Sequence, residues 1–439
     1  MSPDRAPDAA DPGRELFALV EELYPICRSI TGDGVRDTLR ILSRYAPITI
    51  REVPSGTQAL DWTVPREWNI RDAWIKDRSG ARVVDFRASN LHVVSYSVPV
   101  CARMSLDELR PHLHSLPDRP DLVPYKTSYY ADTWGFCLSH RQLEALPAGE
   151  YDVCIDSTLE PGSLTYGELV LPGASEDEIL LSTHVCHPSL CDDNLTGLAV
   201  SVHLARTLSR LPRRRHTLRF VYAPGTIGAI VWLSQHDAEA RRIRHGLTLT
   251  CLGDAHRFTY KRTVGGRAEI DRVAAHVLRT SGHPHEVIDF FPYGYDERQY
   301  NSPGFRIPVG SLMRGRHGRF PEYHTSGDNL QFVSADRMLE SLGVCRAIVD
   351  VLEGNRAYRN LSPKGEPQLG RRGLYRAMGG SNIAELELAL LWVLNLSDGE
   401  HSLLDVAERA DMGFPVVRAA ADLLLAHGLL EEVGAAHGS

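Results

Sequence analysis

From Gly167 onward the sequence alternates short apolar runs, typical of strands, with longer segments typical of helices, and this alternation restricts the fold most. The strand-like runs lie at 179–183, 217–222 and 246–251, and the helix-like segments at 195–208, 227–235 and 271–280. Such alternation favours a parallel sheet, because each helix crosses one face of the sheet between two strands. We therefore predict an α/β fold with a mostly parallel sheet and helices on both faces.

Two other regions have a different pattern. Residues 57–159 contain short alternating runs, such as 81–86 and 91–96, separated by aromatic residues and turns with proline, which indicates a β-rich inserted domain. Residues 378–435 contain three short helical segments, a glycine turn and a final apolar run, which is typical of a winged helix-turn-helix. We assign 14–56 and 160–360 to one catalytic domain.

Histidines and carboxylates stand where the predicted strands end. His184 follows the strand at 179–183, Asp193 precedes the helix at 195–208, and Asp254 follows the strand at 246–251. Such sheets bind ligands at the carboxyl ends of their strands, and imidazoles and carboxylates are zinc ligands. Together with His324 in a later loop, these residues predict a site for one or two zinc ions.

Structural roles compete with metal binding at each position. Asp193 is also suited to cap the following helix, and Asp192 suits that cap better than it suits a metal ligand. Asp254 also suits a turn, His184 suits a position in the core, and His324 suits a solvent-facing loop. His187 has two open roles, as a further ligand or as an imidazole that faces the substrate.

Taken together, these motifs resemble the zinc aminopeptidase fold of bacterial di-zinc exopeptidases. The segment Tyr323-His324-Thr325, followed by Asp328-Asn329-Leu330, is the most specific match, and Tyr295-Asp296-Glu297-Arg298 resembles a loop of that fold. The resemblance implies that His184 and His324 bind zinc, that Asp193 bridges two metals and that Asp254 is a further ligand.

A closer resemblance is to a bacterial family of aminopeptidase-like proteins with a β-rich insertion and a C-terminal winged helix. It covers about residues 14–433, and some members lie in polysaccharide or natural-product biosynthetic clusters. It implies a zinc-dependent hydrolase of amide or peptide bonds whose substrate is a small molecule or a short peptide.

The sequence departs from the aminopeptidase pattern at the general base. Those enzymes carry two consecutive glutamates, a base and a zinc ligand, where this chain has Gly225 and Thr226. We predict Glu297 as a substitute base and Arg298 as a bidentate partner of a substrate carboxylate; the alternative for both is a structural ion pair, of Glu297 with Arg298 or with Arg314. If no substitute base exists, the chain is a catalytically disabled metal-binding or interaction protein, and Gly225→Glu should raise hydrolysis by ~10²-fold.

Composition excludes several other classes of protein. The 439 residues carry a formal net charge of -8, which argues against binding to nucleic acid or to an anionic membrane surface. No apolar run reaches the ~20 residues that span a bilayer, and the polar first 14 residues predict a disordered tail without a signal peptide. Between 382 and 433 the chain has ten acidic residues and only two arginines. This favours a domain or subunit contact, and with the latter a homo-oligomer, over DNA binding. The eight scattered cysteines predict reduced thiols in a cytoplasmic protein.

Overall fold

The structure is a computed structural model, and it describes residues 11–374 and 383–434. Most of the predicted disordered tail and the start of the predicted winged-helix domain lie outside the described residues. The chain forms two compact units. The first unit extends to Ala268 and includes Pro284–Gly343, and the second consists of Glu269–His283 and the chain from Val344 onward. The domain boundaries given above stay predictions.

An eight-stranded mixed sheet forms the centre of the first unit. In spatial order its strands are Thr49–Pro54, Ser163–Leu171, Thr217–Ala223, Glu178–His184, Ile243–Leu249, Val309–Met313, Phe258–Lys261 and His285–Ile288. The strand Glu178–His184 lies in the middle, parallel to both neighbours, and all seven of its residues are buried. A parallel strand covered on both faces needs a continuous apolar run, so the α/β prediction is confirmed.

The helices of the first unit precede, connect or follow these strands, or belong to the insertion. They are Pro12–Leu23, Asp33–Leu42, Leu106–Leu109, His140–Glu144, Gly197–Ser209, Ile227–Gln235, Asp237–Ala240 and Glu297–Tyr300, and Ala335–Gly354 runs on into the second unit. The helix Gly197–Ser209 begins two residues later than predicted, because Cys191–Thr196 forms a π-helical turn. The prediction that Asp192 caps this helix is wrong, since its carboxylate accepts a hydrogen bond from Gly253 N, at 2.8 Å, instead.

The insertion forms a four-stranded antiparallel sheet with its own apolar core. Its strands, in spatial order, are Arg82–Asp85, Glu67–Lys76, Glu150–Glu160 and Val100–Ser105, and smaller pairs are Gln58–Ala59 with Trp62–Thr63 and Leu113–His114 with Phe136–Cys137. The strand predicted at 91–96 is wrong, because the Ser89 hydroxyl accepts from Leu91 N and starts a 3-10 turn, Asn90–His92, there. The prediction of eight reduced thiols is also wrong, because Cys101 and Cys154 are opposite each other on paired strands and form a disulfide.

The second unit has the helices and the small sheet of a winged helix. Its helices are Glu269–Thr280, Ile383–Leu396, Leu403–Ala410 and Phe414–Ala426, and its strands are Ala357–Asn360, Asp398–Ser402 and Leu430–Glu432. Ser402 and Asp405 form a capping box at the start of the helix Leu403–Ala410. The winged-helix prediction is confirmed. Across the residues that the structure describes, every helix is too short or too polar to cross a membrane.

Candidate metal centre

The first two predicted ligands meet at the end of the central strand. His184 is its last residue, so the apolar strand places the imidazole at the carboxyl ends of the parallel strands. Asp193 lies in the π-helical turn at φ −108° and ψ 79°, outside the helical region. His184 Nε2 is 2.7 Å from Asp193 Oδ1, and both side chains are buried.

His324 reaches the same carboxylate from the opposite side. Its Nε2 is 3.1 Å from Asp193 Oδ2, and its backbone is left-handed at φ 54°. The insertion holds this loop, because Tyr125 N donates to the His324 carbonyl at 2.8 Å. The Tyr125 ring meets the rings of His324 and His187 edge-on, with centroids 5.1 and 5.2 Å away. The insertion therefore forms one wall of the site.

His187 completes the group and has one defined tautomer. Its Nδ1 is 3.1 Å from the carbonyl oxygen of Asp193. Because a carbonyl only accepts, Nδ1 carries a hydrogen, and the tautomer that this contact selects has its lone pair on Nε2. That Nε2 is 3.4 Å from the Tyr295 hydroxyl.

A buried arginine fixes the backbone at His187. Arg28, only 1% exposed, donates from Nε to the His187 carbonyl at 2.8 Å and from Nη2 to the Pro188 carbonyl at 3.0 Å. Its Nη1 donates to the Leu23 carbonyl at 2.8 Å. The segment after the first helix is thereby tied to the loop that carries His187.

The charge states of this cluster suit a divalent metal. Burial lowers the pKa of His184 to about 3 and lowers the pKa of His324, so both imidazoles are neutral at pH 7. Burial opposes ionisation of Asp193, but the imidazoles of His187 and His184 outweigh it and hold the pKa of Asp193 well below its usual range. Neutral imidazoles and an ionised carboxylate are the forms that bind zinc. His184, His187 and Asp193 offer ligand atoms within 4.8 Å of one another, so the residues present fit zinc.

Asp254, the fourth predicted ligand, has other partners. Its Oδ2 accepts from Gly315 N at 2.8 Å and its Oδ1 from His256 N at 2.6 Å. Burial and the adjacent Asp254 carboxylate raise the pKa of Asp192 well above its usual value. Asp254 therefore lies behind the cluster, next to Asp192, and its role as a ligand stays a prediction.

Asp328 anchors the turn that carries Asp193. Its Oδ1 accepts from Asp192 N at 2.6 Å and its Oδ2 from Asp193 N at 3.0 Å. Burial raises the pKa of Asp328 to about 7. The carboxylate of the motif that contains His324 thus positions the bridging candidate Asp193.

Glu297 and Arg298 are bound to structural partners. Glu297 is fully buried, forms an ion pair with Lys261, and accepts from Tyr295 N at 3.0 Å. The expected alternative partners, Arg298 and Arg314, are not the ones that it has. Arg298 Nη2 lies 3.5 Å from Thr226 Oγ1. Catalytic roles for Glu297 and Arg298 stay predictions.

The ring of Tyr295 fills the space beside Gly225. A Cβ atom on Gly225 would lie 1.8 Å from Tyr295 Cε1 and 2.6 Å from its hydroxyl oxygen. This ring stacks on His184, with centroids 3.6 Å apart, and its hydroxyl is 3.1 Å from Cys186 Sγ. A glutamate at position 225 has no room on this backbone, so the expected gain from Gly225→Glu is not supported.

A second group of ligand-type side chains shares Asp193. Cys251 and His317 are buried, and their ligand atoms and one of Asp193 all lie within 4.8 Å of one another. His317 also lines a cavity of about 350 Å³, whose other walls are Lys261, Ile288, Phe291, Tyr293, Met313, Arg316, Gly318 and Arg319. His317 is therefore the residue of this group that borders the cavity.

Sequence reasoning did not identify Arg28, Tyr295, Cys251 or His317 as parts of the site. Tyr295 lies in a segment that resembled an aminopeptidase loop, and Cys251 ends a predicted strand, so their positions gave a usable signal. Arg28 and His317 stand in segments without periodicity or a motif, and only the tertiary structure reveals their contacts.

Comparison with known proteins agrees with this geometry. The sequence profile of the family described as Domain of unknown function (DUF4910) matches residues 17–355, and a winged helix-turn-helix profile matches residues 356–432. A protein of Clostridium acetobutylicum, provisionally named a polysaccharide biosynthesis protein with an aminopeptidase-like domain, is 50% identical over 427 residues. The match covers 97% of this chain and 98% of that protein.

Solved structures give the same fold. A crystal structure from Clostridium acetobutylicum, described provisionally as a peptidase, is 49% identical and superposes with a TM-score of 0.92 over 96% of each chain. A zinc aminopeptidase from Bacillus subtilis has a TM-score of 0.55 at 14% identity, over 77% of this chain and 94% of the other. A peptidase M28 precursor from Shewanella amazonensis has a TM-score of 0.56 at 12% identity, over 77% and 93%. The chain therefore belongs to the aminopeptidase-like DUF4910 family and carries a C-terminal winged helix-turn-helix.

Proposed function

We propose that this protein is a zinc-dependent hydrolase of an amide or peptide bond in a small substrate, with His184, Asp193 and His324 as metal ligands. The observation that carries the proposal is the Asp193 carboxylate between two neutral imidazoles, 2.7 Å from His184 and 3.1 Å from His324. His184 and His324 lie at different oxygens of this carboxylate, and catalytic zinc sites keep a coordination position open, whereas structural sites are closed by four protein ligands. A zinc ion supplies Lewis acidity there, which polarises a scissile carbonyl and makes water nucleophilic near neutral pH.

We assign the role of proton acceptor to His187. Its Nδ1–H donates to the Asp193 carbonyl, so Nε2, which lies 3.4 Å from the Tyr295 hydroxyl, is the nitrogen that would take a proton. The carbonyl also fixes the ring orientation, and Arg28 fixes the backbone behind it. His187 thus supplies the proton acceptor that the absent glutamates do not.

We assign positioning roles to Glu297 and Asp254. The Glu297 carboxylate accepts a hydrogen bond from the backbone N–H of Tyr295, whose ring stacks on His184. The Asp254 carboxylate accepts a hydrogen bond from Gly315 N and lies next to the carboxylate of Asp192, the residue that precedes Asp193. These contacts orient the ligands without contact to the substrate.

The substrate that we propose is a small molecule or a short peptide, and the cavity of about 350 Å³ that His317 borders has a size suited to such a ligand. The name of the Clostridium acetobutylicum relative adds a setting in polysaccharide biosynthesis, and natural-product biosynthesis is the other setting that we propose.

A second candidate function is metal binding without hydrolysis. The ring of Tyr295 occupies the space beside Gly225, which leaves the position of the usual base without a carboxylate. Under this alternative the zinc-loaded chain binds small ligands but turns over none of them.

His187→Gln separates these possibilities. Zinc-loaded wild type should hydrolyse unblocked aminoacyl amides and dipeptides, lose activity to a chelator and regain it with zinc. His187→Gln should lower kcat by ~10²–10⁴-fold at unchanged zinc content, whereas His112→Gln, in the insertion, should leave kcat unchanged. Loss of zinc from His187→Gln would make His187 a ligand, and a zinc-loaded wild type inactive on the whole panel would favour the second candidate.

A further inference from the structure

We propose that the cavity of about 350 Å³ binds an anionic group of the substrate, a carboxylate or a phosphate, through Arg316 and Arg319. The rings of Phe291 and Tyr293 pack against the part of the substrate next to that anion. This inference rests on the proposed function, because it names the class of small substrate whose amide bond the metal centre hydrolyses.

The charges in the wall of this cavity favour an anion. The wall contains three cations, Lys261, Arg316 and Arg319, and no carboxylate among the described residues that line it. The chain as a whole has a net charge of -8, so this wall differs in sign from the protein that surrounds it. A cavity lined by charges of one sign concentrates ligands of the opposite sign.

Lys261 is a fixed part of the wall. It is buried, and its Nζ donates to the carbonyls of Phe291 at 3.1 Å and Tyr293 at 3.0 Å and forms an ion pair with Glu297. An ammonium group has three donor hydrogens, so these partners use all of them. Lys261 therefore holds the backbone of the aromatic segment, and contact with an anion falls to the two arginines.

The guanidinium groups of Arg316 and Arg319 are available to a ligand. The ion pair of Arg316 with Glu286 is long, at 3.9 Å, and the same carboxylate oxygen already accepts from Thr259 Oγ1 at 3.0 Å. Arg319 is exposed and forms no ion pair within the part of the chain that the structure describes. A guanidinium presents a planar fork of N–H donors that matches two oxygens of a carboxylate or a phosphate.

A tight turn brings the two arginines to the same wall. Arg319 N donates to the Arg316 carbonyl at 2.9 Å, which closes a four-residue turn. Gly318, the third residue of the turn, has φ 68°, a conformation that glycine adopts without strain. A Cβ atom on Gly318 would lie 3.3 Å from the Tyr293 hydroxyl, so the backbone of the turn packs closely against that residue. The turn thereby fixes both arginines relative to the aromatic wall.

Two exposed rings give the cavity an apolar side. Phe291 and Tyr293 are each 54% exposed, although aromatic rings gain free energy when they are covered. Their backbone carbonyls are held by Lys261, so the rings are already in place before a ligand binds. A substrate with a ring beside its anionic group therefore matches both sides of the cavity.

His317 connects this cavity to the metal centre. It lines the cavity, and its ligand atom lies within 4.8 Å of a carboxylate oxygen of Asp193. Its ring also stacks with that of Tyr295, with centroids 6.0 Å apart, and Tyr295 stacks on His184. A substrate whose anion lies at the arginines has to extend past the His317 ring to place its amide at the metal.

The test compares three alanine anilides that differ only in the para substituent of the ring, a carboxylate, a phosphate or a neutral carboxamide. With zinc-loaded wild type, KM for the anionic anilides should be ~10–100-fold below KM for the carboxamide, which is the worth of hydrogen bonds to a charged group. In Arg316→Gln and Arg319→Gln this ratio should fall towards one. The ratio is taken within one variant, so a partial loss of folded protein does not change it. The anion with the lower KM in wild type identifies the natural group.

Two further variants locate the effect. Arg103→Gln, which removes an exposed arginine of the insertion, should keep the wild-type ratio. Phe291→Ala should raise KM for all three anilides by ~2–10-fold, because each loses the contact with the ring. An anionic preference that disappears in Arg103→Gln as well would overturn a site at Arg316 and Arg319.

Binding of the products separates this inference from the proposed function. Calorimetry with the full chain, with zinc and after chelation, should detect 4-aminobenzoate or 4-aminophenyl phosphate on wild type but not on the Arg316→Gln/Arg319→Gln double variant. Such binding without hydrolysis of any anilide supports the anion site and contradicts the proposed function. Hydrolysis of all three anilides with equal KM, or an anionic preference that survives in the double variant, overturns the anion site and leaves the proposed function intact.

Discussion

Alanine at position 225 should destabilise the protein, and the cost should come from one side chain. The added Cβ would lie 1.8 Å from Tyr295 Cε1 and 2.5 Å from its Cζ, so the ring has to move. Overpacking of this kind costs ~1–3 kcal/mol. Displacement of the ring also breaks its stacking on His184, an aromatic contact worth ~0.5–1.5 kcal/mol. The free energy of unfolding should therefore fall by about 2–4 kcal/mol.

A double-mutant cycle isolates that cause. Urea unfolding of Gly225→Ala, Tyr295→Ala and the double variant should show that the Gly225 substitution costs less than ~0.5 kcal/mol once the ring is gone. Gly304→Ala is the control, because Gly304 is exposed and a Cβ there meets nothing within 4 Å. Gly225→Glu should lower zinc binding and leave amide hydrolysis below wild type. An equal cost of Gly225→Ala with and without Tyr295 would refute the account of this position.

Three further predictions follow from contacts in the first unit and from charge in the second. Arg28→Lys should lower the free energy of unfolding by ~2–4 kcal/mol, because buried carbonyls lose their donors; an unchanged urea midpoint would contradict this. The pKa of Glu67 is lowered by its hydrogen bonds from Arg36. The contribution of the Glu67 carboxylate to the free energy of unfolding is therefore fully present above its unfolded pKa of ~4.3 and is lost as the pH falls through the lowered value. Glu67→Gln should therefore cost ~1 kcal/mol at pH 7 and progressively less as the pH falls below ~4.3, and a cost that does not change with pH would be the opposing result. Residues 383–434 carry too few cations to neutralise phosphates, so fluorescence anisotropy should detect no duplex DNA binding at physiological salt, and salt-sensitive micromolar binding would reverse that view.

Local patterns were sufficient to predict the α/β sheet, the inserted β-rich region and the winged helix. The continuous apolar run before His184 predicts a central parallel strand, and the spacing at 382–433 predicts three helices and a wing. The helix cap predicted at Asp192 is wrong because its carboxylate accepts a hydrogen bond from Gly253 N, 61 residues away in sequence. The strand predicted at 91–96 failed because a serine-initiated turn takes its first residues and leaves only isolated bridges at Val93 and Ser95.

The site was predictable only where ligands stand at strand ends or in specific motifs. His184, Asp193 and His324 met these conditions, and the structure brings them together. The contacts of Arg28 and Tyr295 depend on segments that approach one another only in the folded chain, so no local pattern encodes them. The Lys261 partner of Glu297 was missed for the same reason.

The zinc content of His324→Ala tests the central claim most directly. Wild type and the variant would be purified without added zinc, dialysed against equal free zinc and measured by elemental analysis, with His112→Ala as a matched control in the insertion. We predict that His324→Ala binds less zinc than wild type by one equivalent and that His112→Ala binds the wild-type amount. Equal zinc stoichiometry in wild type and His324→Ala would contradict the metal centre at His184, Asp193 and His324.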